Sequence, residues 1–332
     1  MVLPTPEANF QVKRLNDIPL VQLPARLSIL EAVAFKETLQ QLCKQGLPCQ
    51  KIVLDFSQTI FIDSSGLGAL VSNFKAAREL GIDLVLRDLH PQVMSVLTMT
   101  SLDEVFTIDS ADGESGVTNG LYSGDQLPTT HPSVRSWVKR LIDVVGALVG
   151  LGIVAILLIP IAIAIKLDSP GPVFFGQIRC GWMGKRFRMW KFRSMCVEAE
   201  ALKAQVTNQV KGAFFKNKND PRVTRIGRFL RRTSLDELPQ FWNVLKGEMS
   251  LVGTRPPTPD EVDRYDVPEW QRLDVKPGMT GEWQVNGRSR IQNFGDVIRL
   301  DLQYQQHWNL RHDIKLILRT MIILFQKNSG AT

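Results

Sequence analysis

The most constraining feature of the sequence is a run of 22 residues without a charge, residues 144–165, which reads VVGALVGLGIVAILLIPIAIAI. As a continuous helix this run would be about 33 Å long, enough to cross the hydrocarbon core of a bilayer. Basic residues flank it, since Arg135, Lys139 and Arg140 precede it and Lys166 follows. Because loops rich in Lys and Arg stay on the cytoplasmic side, both ends are predicted to face the cytoplasm.

Pro160 lies inside this run. Proline removes one backbone hydrogen bond and bends a helix. We therefore predict a re-entrant membrane helical hairpin over residues 134–168, which enters and leaves the membrane by one face. A straight single span explains the length of the run equally well, and the pattern alone leaves that alternative open.

The net charge of +7 hides an asymmetry between the two halves of the chain. Residues 1–134 hold 9 Lys and Arg against 15 Asp and Glu, or −6, so the remaining residues hold 31 against 18, or +13. A basic half predicts an anionic partner such as phosphate, nucleic acid or lipid headgroups. Because this charge is interleaved with apolar stripes and adjoins a membrane segment, we expect membrane phospholipid and no nucleic acid.

The cysteines and histidines carry no recognisable metal or redox motif. The spacings of the four cysteines match no zinc or redox motif, and the N-terminus lacks the charged and apolar regions of a signal peptide. A reducing, cytosol-facing location is the expectation. His307 and His312 are five residues apart, on different faces of a helix. Any metal is therefore expected to use oxygen ligands.

Residues 1–110 read as a small α/β domain. Two apolar runs, residues 51–56 and 83–88, are predicted strands, and the segment between them has the apolar spacing of an amphipathic helix closed by Gly81. A strand, a helix and a second strand are typical of an α/β fold. Residues 111–133 are rich in Gly, Ser, Asp and Thr, which predicts a flexible linker.

Two helical segments of the basic half have an apolar stripe among cations. In the first, Ile226, Phe229 and Leu230 face one way and arginines occupy the other positions. This pattern predicts a helix lying in the membrane interface, with its stripe in lipid and its cations at phosphate depth. The second, over residues 313–327, repeats the pattern, and a core helix explains it equally well.

Two adjacent acids, Asp236 and Glu237, interrupt the basic sequence. One interpretation is structural, because Ser234 with Glu237 three residues later fits a capping box. The other is chemical, because Pro239 breaks the helix within a turn of the acids and so holds their carboxylates at a discontinuity.

Nearby arginines favour the chemical interpretation. If Arg231, Arg232 and Arg255 are also close in space, they would keep Asp236 ionised and neutralise an incoming diphosphate. An ionised carboxylate can attack phosphorus and form a covalent intermediate. Phosphoryl transfer otherwise needs mainly positioning and charge neutralisation, which Mg²⁺ and arginines supply.

Residues 139–195, 219–256 and 276–290 resemble successive blocks of the bacterial monotopic phosphoglycosyl transferases, which start exopolysaccharide, capsule and O-antigen synthesis. The resemblance implies a UDP-sugar donor, a polyprenyl (undecaprenyl) phosphate acceptor and Mg²⁺. It also implies a re-entrant helix and a catalytic domain, residues 169–332, on the cytoplasmic face of the bacterial inner membrane. The enzyme would transfer a sugar 1-phosphate to the lipid and release UMP.

The same resemblance implies roles for individual residues. Asp236 matches the nucleophile that takes the sugar phosphate, and Glu237 matches its partner in metal binding or proton handling, so both are the predicted Mg²⁺ ligands. Thr254 departs from the family, which usually has Pro there. Five basic residues stand at motif positions suited to contacts with phosphate or nucleotide: Lys191, Arg193, Arg222, Arg255 and Arg288.

Residues 10–109 resemble STAS domains, the fold of anti-sigma factor antagonists. In that family the first Ser of the DSSG motif is the phosphorylation site, which maps onto Ser64 here. A hydroxyl at this position is also a helix N-cap, whether or not it is modified. Residues 24–29, PARLSI, replace the usual Gly-x-Leu-Asp, so an acid near Ser64 is missing from the local sequence. A dimerising or docking role for this domain is an alternative to phosphorylation.

The sequence therefore predicts an α/β STAS domain joined by a flexible linker to a re-entrant membrane helix and an α+β catalytic domain with interfacial amphipathic helices. The predicted function is the sugar-phosphate transfer described above. A non-enzymatic, membrane-anchored STAS adaptor in a partner-switching pathway is the alternative. A second copy of the chain or a STAS-binding regulator is a candidate partner.

Overall fold

The structure is a computed structural model that describes residues 10–15, 18–44, 50–109, 131–199, 201–202, 206, 217, 219–286 and 293–325. The chain divides into two compact units. The first unit comprises Met1–Thr130, Met183–Lys185 and Tyr265–Asp274, and the second comprises His131–Trp182, Arg186–Arg264 and Val275–Thr332. Most of the predicted linker, residues 111–130, lies outside the described residues.

The first unit is built on a five-stranded sheet in the order β1-β2-β4-β6-β7, in which β1 is antiparallel to β2 and the other neighbours are parallel. β3 and β5 form a separate parallel pair. Its elements are β1 (Val12–Leu15), β2 (Ile18–Gln22), β3 (Arg26–Leu27), α1 (Ile29–Lys44), β4 (Lys51–Asp55), β5 (Phe61–Ile62), α2 (Ser64–Glu79), β6 (Asp83–Arg87), α3 (Pro91–Met99), β7 (Thr107–Asp109) and a 3₁₀ segment (Val267–Leu273).

The predicted strand, helix and strand of the first unit are confirmed as β4, α2 and β6. Ile52, Val53 and Leu54 are buried in succession, which is typical of a parallel strand covered on both faces. Helix α2 begins at Ser64 because Asp63 caps it, with the Gly66 N–H donating to Asp63 Oδ1 over 2.8 Å. The alternative that Ser64 itself is the N-cap is therefore wrong.

The second unit contains one long helix, a β-hairpin, a short parallel strand pair and several shorter helices. Its elements are α4 (Pro132–Arg135), α5 (Trp137–Asp168), β8 (Phe174–Cys180), β9 (Arg186–Phe192), α6 (Arg225–Arg232), a 3₁₀ turn (Leu235–Glu237), α7 (Gln240–Lys246), β10 (Ser250–Val252), α8 (Pro259–Val262), β11 (Gly278–Thr280), α9 (Glu282–Val285), α10 (Phe294–Gln306) and α11 (Leu310–Phe325). A further 3₁₀ turn, Trp182–Gly184, follows β8, and its last two residues belong to the first unit.

The apolar run forms a single 32-residue helix, α5, with Pro160 inside it. In the part of the chain that the structure describes, α5 is the one helix long and apolar enough to cross a membrane. The predicted helical hairpin is thus corrected to one helix. The helix continues on both sides of Pro160, so the hydrogen bond that proline cannot make does not break it.

One face of α5 packs on the second unit along the whole helix. Ala147 lies in a core cluster with Val244 and Met249, and Ile165 lies in another with Phe192 and Leu230. Many other apolar side chains of α5 are exposed: Leu141, Val145, Leu148, Val149, Ile153, Ile156, Ile159, Ile163 and Leu167. An apolar surface of this extent on a helix is typical of contact with lipid or another protein.

A buried ion pair holds the start of α5 to α11. Lys139 Nζ lies 2.6 Å from Asp313 Oδ2, and both side chains are less than 10 % exposed. Lys139 also donates to the carbonyl oxygen of Val252 at 2.9 Å, and Tyr304 donates to Asp313 Oδ1 at 2.9 Å. These bonds satisfy both charges inside the protein, as a buried pair requires.

The two predicted interfacial helices differ in how they use their apolar residues. In α6, Leu230 is buried against α5 and Ile226 packs beside it, so the predicted lipid-facing stripe is wrong for these two residues. Phe229 remains exposed. In α11, Leu316 is in the core, whereas a second apolar side is exposed: Ile314, Leu318, Met321 and Ile322.

Candidate active site

The acid pair lies in the 3₁₀ turn between α6 and α7. Ser234, just before it, has φ of 55° and makes no capping hydrogen bond with its side chain within the described chain. A capping residue adopts an extended backbone instead, so the capping box considered above is wrong. A left-handed non-glycine residue costs about 1–3 kcal/mol, and such strain persists only where the surroundings enforce it. The chain therefore turns sharply at the acids, as the predicted discontinuity requires.

The two acids have different environments. Asp236 is buried, with 6 % of its surface exposed, whereas Glu237 is half-buried. Glu237 Oε1 accepts a hydrogen bond from Lys191 Nζ of β9 at 2.9 Å. The predicted phosphate-binding Lys191 is thus brought to the acid pair from a distant part of the sequence.

Arg231, on the last turn of α6, is the cation next to Asp236. Burial lowers the pKa of its guanidinium, and the charges of Asp236 and Asp220 oppose that shift. Its Nε donates to Ser194 Oγ at 2.9 Å, which fixes the side chain. A buried carboxylate beside a fixed guanidinium stays ionised more readily than one buried alone. This is the arrangement that the nucleophile hypothesis needs.

A second group of charges lies on the Glu237 side. Arg255 forms a bidentate pair with Glu261, at 2.7 and 3.0 Å. Burial and the neighbouring charge of Arg255 lower the pKa of Arg179 to about 10, while Glu261 and Glu237 act against that shift. Two arginines with overlapping fields attract an anion more strongly than either alone.

Arg179 was not among the residues predicted from the sequence, although its position could have been found. It lies on β8, where it pairs with Phe187, and Lys191 lies on β9, where it pairs with Phe175. Phe175 and Arg179 are four residues apart on one strand, so the two basic side chains point to the same face of the hairpin. The sequence signal that could have identified Arg179 is the alternation of side chains between the two faces of a strand.

Two of the predicted phosphate contacts are occupied by structural partners. Arg193 donates to the carbonyl oxygens of Pro170 and Ser169 at 2.7 Å each, which fixes the chain just after α5. Arg222 pairs with Asp220 at 2.7 Å and donates to the carbonyl oxygen of Ala199 at 3.0 Å. Their contacts with substrate stay a prediction. Arg288 lies outside the described residues.

The acid pair fits a magnesium ion that is held mainly by substrate. Among the residues that the structure describes, no group of three or more His, Cys, Asp or Glu side chains could hold a metal. Mg²⁺, however, usually binds through one or two carboxylates together with waters and substrate phosphates. Asp236 and Glu237 supply such a donor set, so the predicted Mg²⁺ site is chemically compatible with these residues.

Comparison with known proteins identifies the family. The sequence model of the bacterial sugar transferases matches residues 134–327, more than half of the 332 residues. The chain belongs to the bacterial sugar transferase family. The model of the STAS domain matches residues 9–114. Both predicted resemblances are therefore confirmed, and the basic half of the chain is the part that matches the sugar transferase family.

Among the similar proteins is the galactosyl transferase CpsE of Streptococcus agalactiae serotype III (strain NEM316), 51 % identical over 191 residues, which are 56 % of this chain and 42 % of CpsE. Another is the UDP-glucose:undecaprenyl-phosphate glucose-1-phosphate transferase of Escherichia coli (strain K12), 38 % identical over 240 residues, which are 70 % of this chain and 50 % of that enzyme. The chain thus spans half or less of the length of these two relatives.

A solved structure similar to this chain is that of a putative anti-sigma factor antagonist from Thermotoga maritima. It is 29 % identical, with a TM-score of 0.28, and the match covers 30 % of this chain and 86 % of that protein.

Proposed function

We propose that this transferase moves a sugar 1-phosphate from a UDP-sugar to polyprenyl (undecaprenyl) phosphate through a covalent intermediate on Asp236. The observation that carries the proposal is the buried Asp236 carboxylate at a sharp turn, with Arg231 beside it and Lys191 on its neighbour Glu237. The named relative from Escherichia coli, which uses UDP-glucose and undecaprenyl phosphate, supports the choice of donor and acceptor.

In the first step a carboxylate oxygen of Asp236 attacks the phosphorus that carries the sugar. The bond between that phosphorus and the oxygen bridging to the uridine phosphate breaks, and UMP leaves with the bond electrons. In the second step a phosphate oxygen of the polyprenyl phosphate attacks the same phosphorus. The Asp236 carboxylate is then released, and a sugar diphospholipid forms.

The cations around the acid pair would serve both steps. The positive charge of Arg231 would favour the carboxylate form of Asp236, while Lys191, Arg179 and Arg255 would offset the negative charge of the diphosphate. Mg²⁺, when bound by the acid pair and the diphosphate, would supply further charge neutralisation. Lys191 is already paired with Glu237, so on substrate binding it would exchange the carboxylate of Glu237 for the diphosphate of the donor.

The position of the enzyme at the membrane is part of the proposal. α5 packs on the rest of the second unit at Ala147 and again at Ile165. A helix that crossed the bilayer would carry the residues packed against it into the hydrocarbon core, which disfavours a crossing. We infer a monotopic attachment to the cytoplasmic face of the inner membrane. Exposed Phe229, Trp242 and the outer side of α11 would contact lipid there.

The proposal is tested by following UMP release from a panel of UDP-sugars, in detergent, with and without polyprenyl phosphate. Asp236→Asn should abolish release, whereas Asp296→Asn, which changes an exposed carboxylate of α10, should leave it unchanged. Enzyme incubated with donor alone should carry one sugar phosphate, mapped by mass spectrometry to the peptide containing residue 236. Full activity of the Asp236→Asn enzyme would refute the nucleophile. Lipid binding without UMP release from any donor would favour the adaptor instead.

A further inference from the structure

The first residue of helix α2, Ser64, is covered by the segment Tyr265–Asp274, which comes much later in the sequence. Ser64 is 0 % exposed, and its Oγ lies 2.6 Å from Asp274 Oδ1 and 2.6 Å from the carbonyl oxygen of Trp270. Its backbone N–H also donates to Asp274 Oδ1 at 3.1 Å. Three polar contacts therefore converge on one serine.

Asp274 supplies the acid that the local sequence lacks. It lies 210 residues after Ser64. Both acceptors compete for the single hydroxyl proton of Ser64, and a proton on Asp274 would let both short contacts be hydrogen bonds. Burial raises the pKa of Asp274, in the direction that favours this proton, while the bonds from Ser64 act against the shift.

The sealing segment, Tyr265–Asp274, is itself firmly built. Asp266 and Glu269 form a capping box at the start of its 3₁₀ helix. Arg272 is fully buried, and its Nη1 donates to the Tyr265 hydroxyl at 2.6 Å. A buried arginine with a fixed partner makes the segment rigid enough to act as a ligand.

The apolar part of the contact is equally close. A Cβ atom on Gly68 of α2 would lie 2.4 Å from Trp270 Cγ, so the indole rests directly on the helix backbone. At the edge, Lys36 of α1 lies 3.5 Å from Asp266 in an exposed ion pair. An aromatic anchor, a buried polar contact and a charged rim are the features of a binding interface.

The segment belongs to the transferase sequence, since the family match covers residues 134–327. It is nevertheless part of the first compact unit, and the chain returns to the second unit at Val275. Residues 265–274 therefore pack within the first unit, although the residues before and after them in the sequence belong to the second unit.

We propose that the N-terminal end of α2 is a docking surface for the transferase's own segment Tyr265–Asp274, and that a negative charge placed on residue 64 expels the segment. Ser64 faces a carboxylate and a carbonyl oxygen, and within the described chain no cation pairs with Asp274. An added anion there would place its oxygens against two oxygen atoms already 2.6 Å from Ser64 Oγ, with no space and, among the described residues, no cation beside it, so it would be excluded while the segment is bound. The Ser64 hydroxyl is then accessible to any modifying enzyme only after the segment has left.

Hydrogen–deuterium exchange on the full chain in detergent tests the proposal, read on peptides within residues 265–274. Ser64→Glu should speed exchange there by about tenfold or more, since the segment would open. Ser64→Ala should have a smaller effect, because the backbone N–H still donates to Asp274. Ser57→Glu, which adds the same charge at an exposed serine of the first unit, should change nothing in the segment.

A second variant separates docking from folding of the first unit. Gly68→Ala adds a methyl group that helix α2 itself tolerates well but that collides with Trp270. It should speed exchange in the segment while β4 and β6 stay protected, and combining it with Trp270→Ala should remove the additional effect of the methyl group. Gly152→Ala, where no atom lies within 4 Å of the new Cβ, is the matched control. Unchanged protection of residues 265–274 in both Ser64→Glu and Gly68→Ala would overturn the proposal.

Discussion

Lys191 Nζ lies 2.9 Å from Glu237 Oε1, and this ion pair joins strand β9 to the turn that carries Asp236. The two side chains are 25 % and 20 % exposed, so the pair is neither fully solvated nor sealed. A cation in such a position can hold a carboxylate in place and still turn toward an incoming phosphate. The ion pair therefore links the β8–β9 hairpin to the turn that carries the proposed nucleophile.

Replacing Lys191 with Gln should lower the rate of UMP release by roughly 10- to 100-fold, which corresponds to about 1.4–2.7 kcal/mol of lost transition-state stabilisation. The reason is that Glu237 loses its partner and the diphosphate loses a cation at the same time. Lys191→Arg keeps the charge and should retain more of the activity than Lys191→Gln. Initial rates at saturating UDP-sugar, with unfolding curves beside them, measure the effect.

The matched control is Lys246→Gln. Lys246 also pairs with a glutamate of the second unit, Glu248, but its side chain is 48 % exposed. Exposed pairs contribute little, so its activity should remain near that of the unchanged enzyme. Equal losses in the two variants would mean that Lys191 acts on stability and not on the transferred phosphate.

The second prediction concerns the glycine on which α6 rests. A Cβ atom on Gly227 would lie 1.9 Å from the carbonyl oxygen of Ser194, and that contact is with backbone. Gly227→Ala should therefore destabilise the second unit by about 1–3 kcal/mol, although alanine normally favours a helix. It should also lower UMP release, because Arg231, which donates to Ser194 Oγ, sits one turn further along α6. Thermal unfolding and initial rates measure the two effects.

Gly152→Ala serves as the reference, since it makes the same chemical change in a helix where nothing lies within 4 Å. It should leave both readings unchanged. If Gly227→Ala proved as stable and as active as this reference, α6 would not need its close approach to Ser194, and the fixed position of Arg231 would have another cause.

Much of the fold and part of the site could be predicted because their signals are local. The apolar periodicity around β4 and α2 is satisfied by burial within the same unit, so the pattern and the structure agree. The adjacency of Asp236 and Glu237, followed at once by Pro239, is also a local signal. These residues predict the sharp turn. They do not predict the left-handed backbone of Ser234, because a serine three residues before a glutamate is equally typical of a helix cap.

The contacts that sequence reasoning missed join residues far apart in the chain. No periodicity relates Ser64 to Asp274. The pattern of α6 is also ambiguous, because an amphipathic helix whose apolar side faces lipid has the same sequence pattern as one whose apolar side packs on another helix, as Leu230 packs on α5. The hairpin prediction was wrong for a similar reason. Pro160 indicates that one backbone hydrogen bond is lost, but it does not indicate whether the neighbouring turns hold the helix together. Such outcomes depend on tertiary packing that no short segment encodes.

The last prediction concerns the pH dependence of the first unit. Burial, and then the charge of Asp274, raise the pKa of Asp63 from 3.8 to about 7, while hydrogen bonds from Gly66 and Ser65 act against the shift. The folded state then binds more protons than the unfolded state between about pH 4 and about pH 7. Stability from this group is complete below the unfolded pKa and is lost as pH rises through the folded one. The first unit should therefore weaken toward neutral pH.

Asp63→Asn should flatten this dependence and, near pH 8, stabilise the first unit by roughly 1–3 kcal/mol, since the amide carries no charge to bury. Asparagine caps a helix about as well as aspartate, so the bond from the Gly66 N–H should survive. Urea midpoints of the first unit, read by pulse proteolysis between about pH 5 and about pH 8, measure the slope. Asp83→Asn, which changes an exposed carboxylate of the same unit, should keep the original slope. A slope that persists in Asp63→Asn would assign the titration to another group, with Asp274 the first to examine because it faces Asp63 from the docked segment.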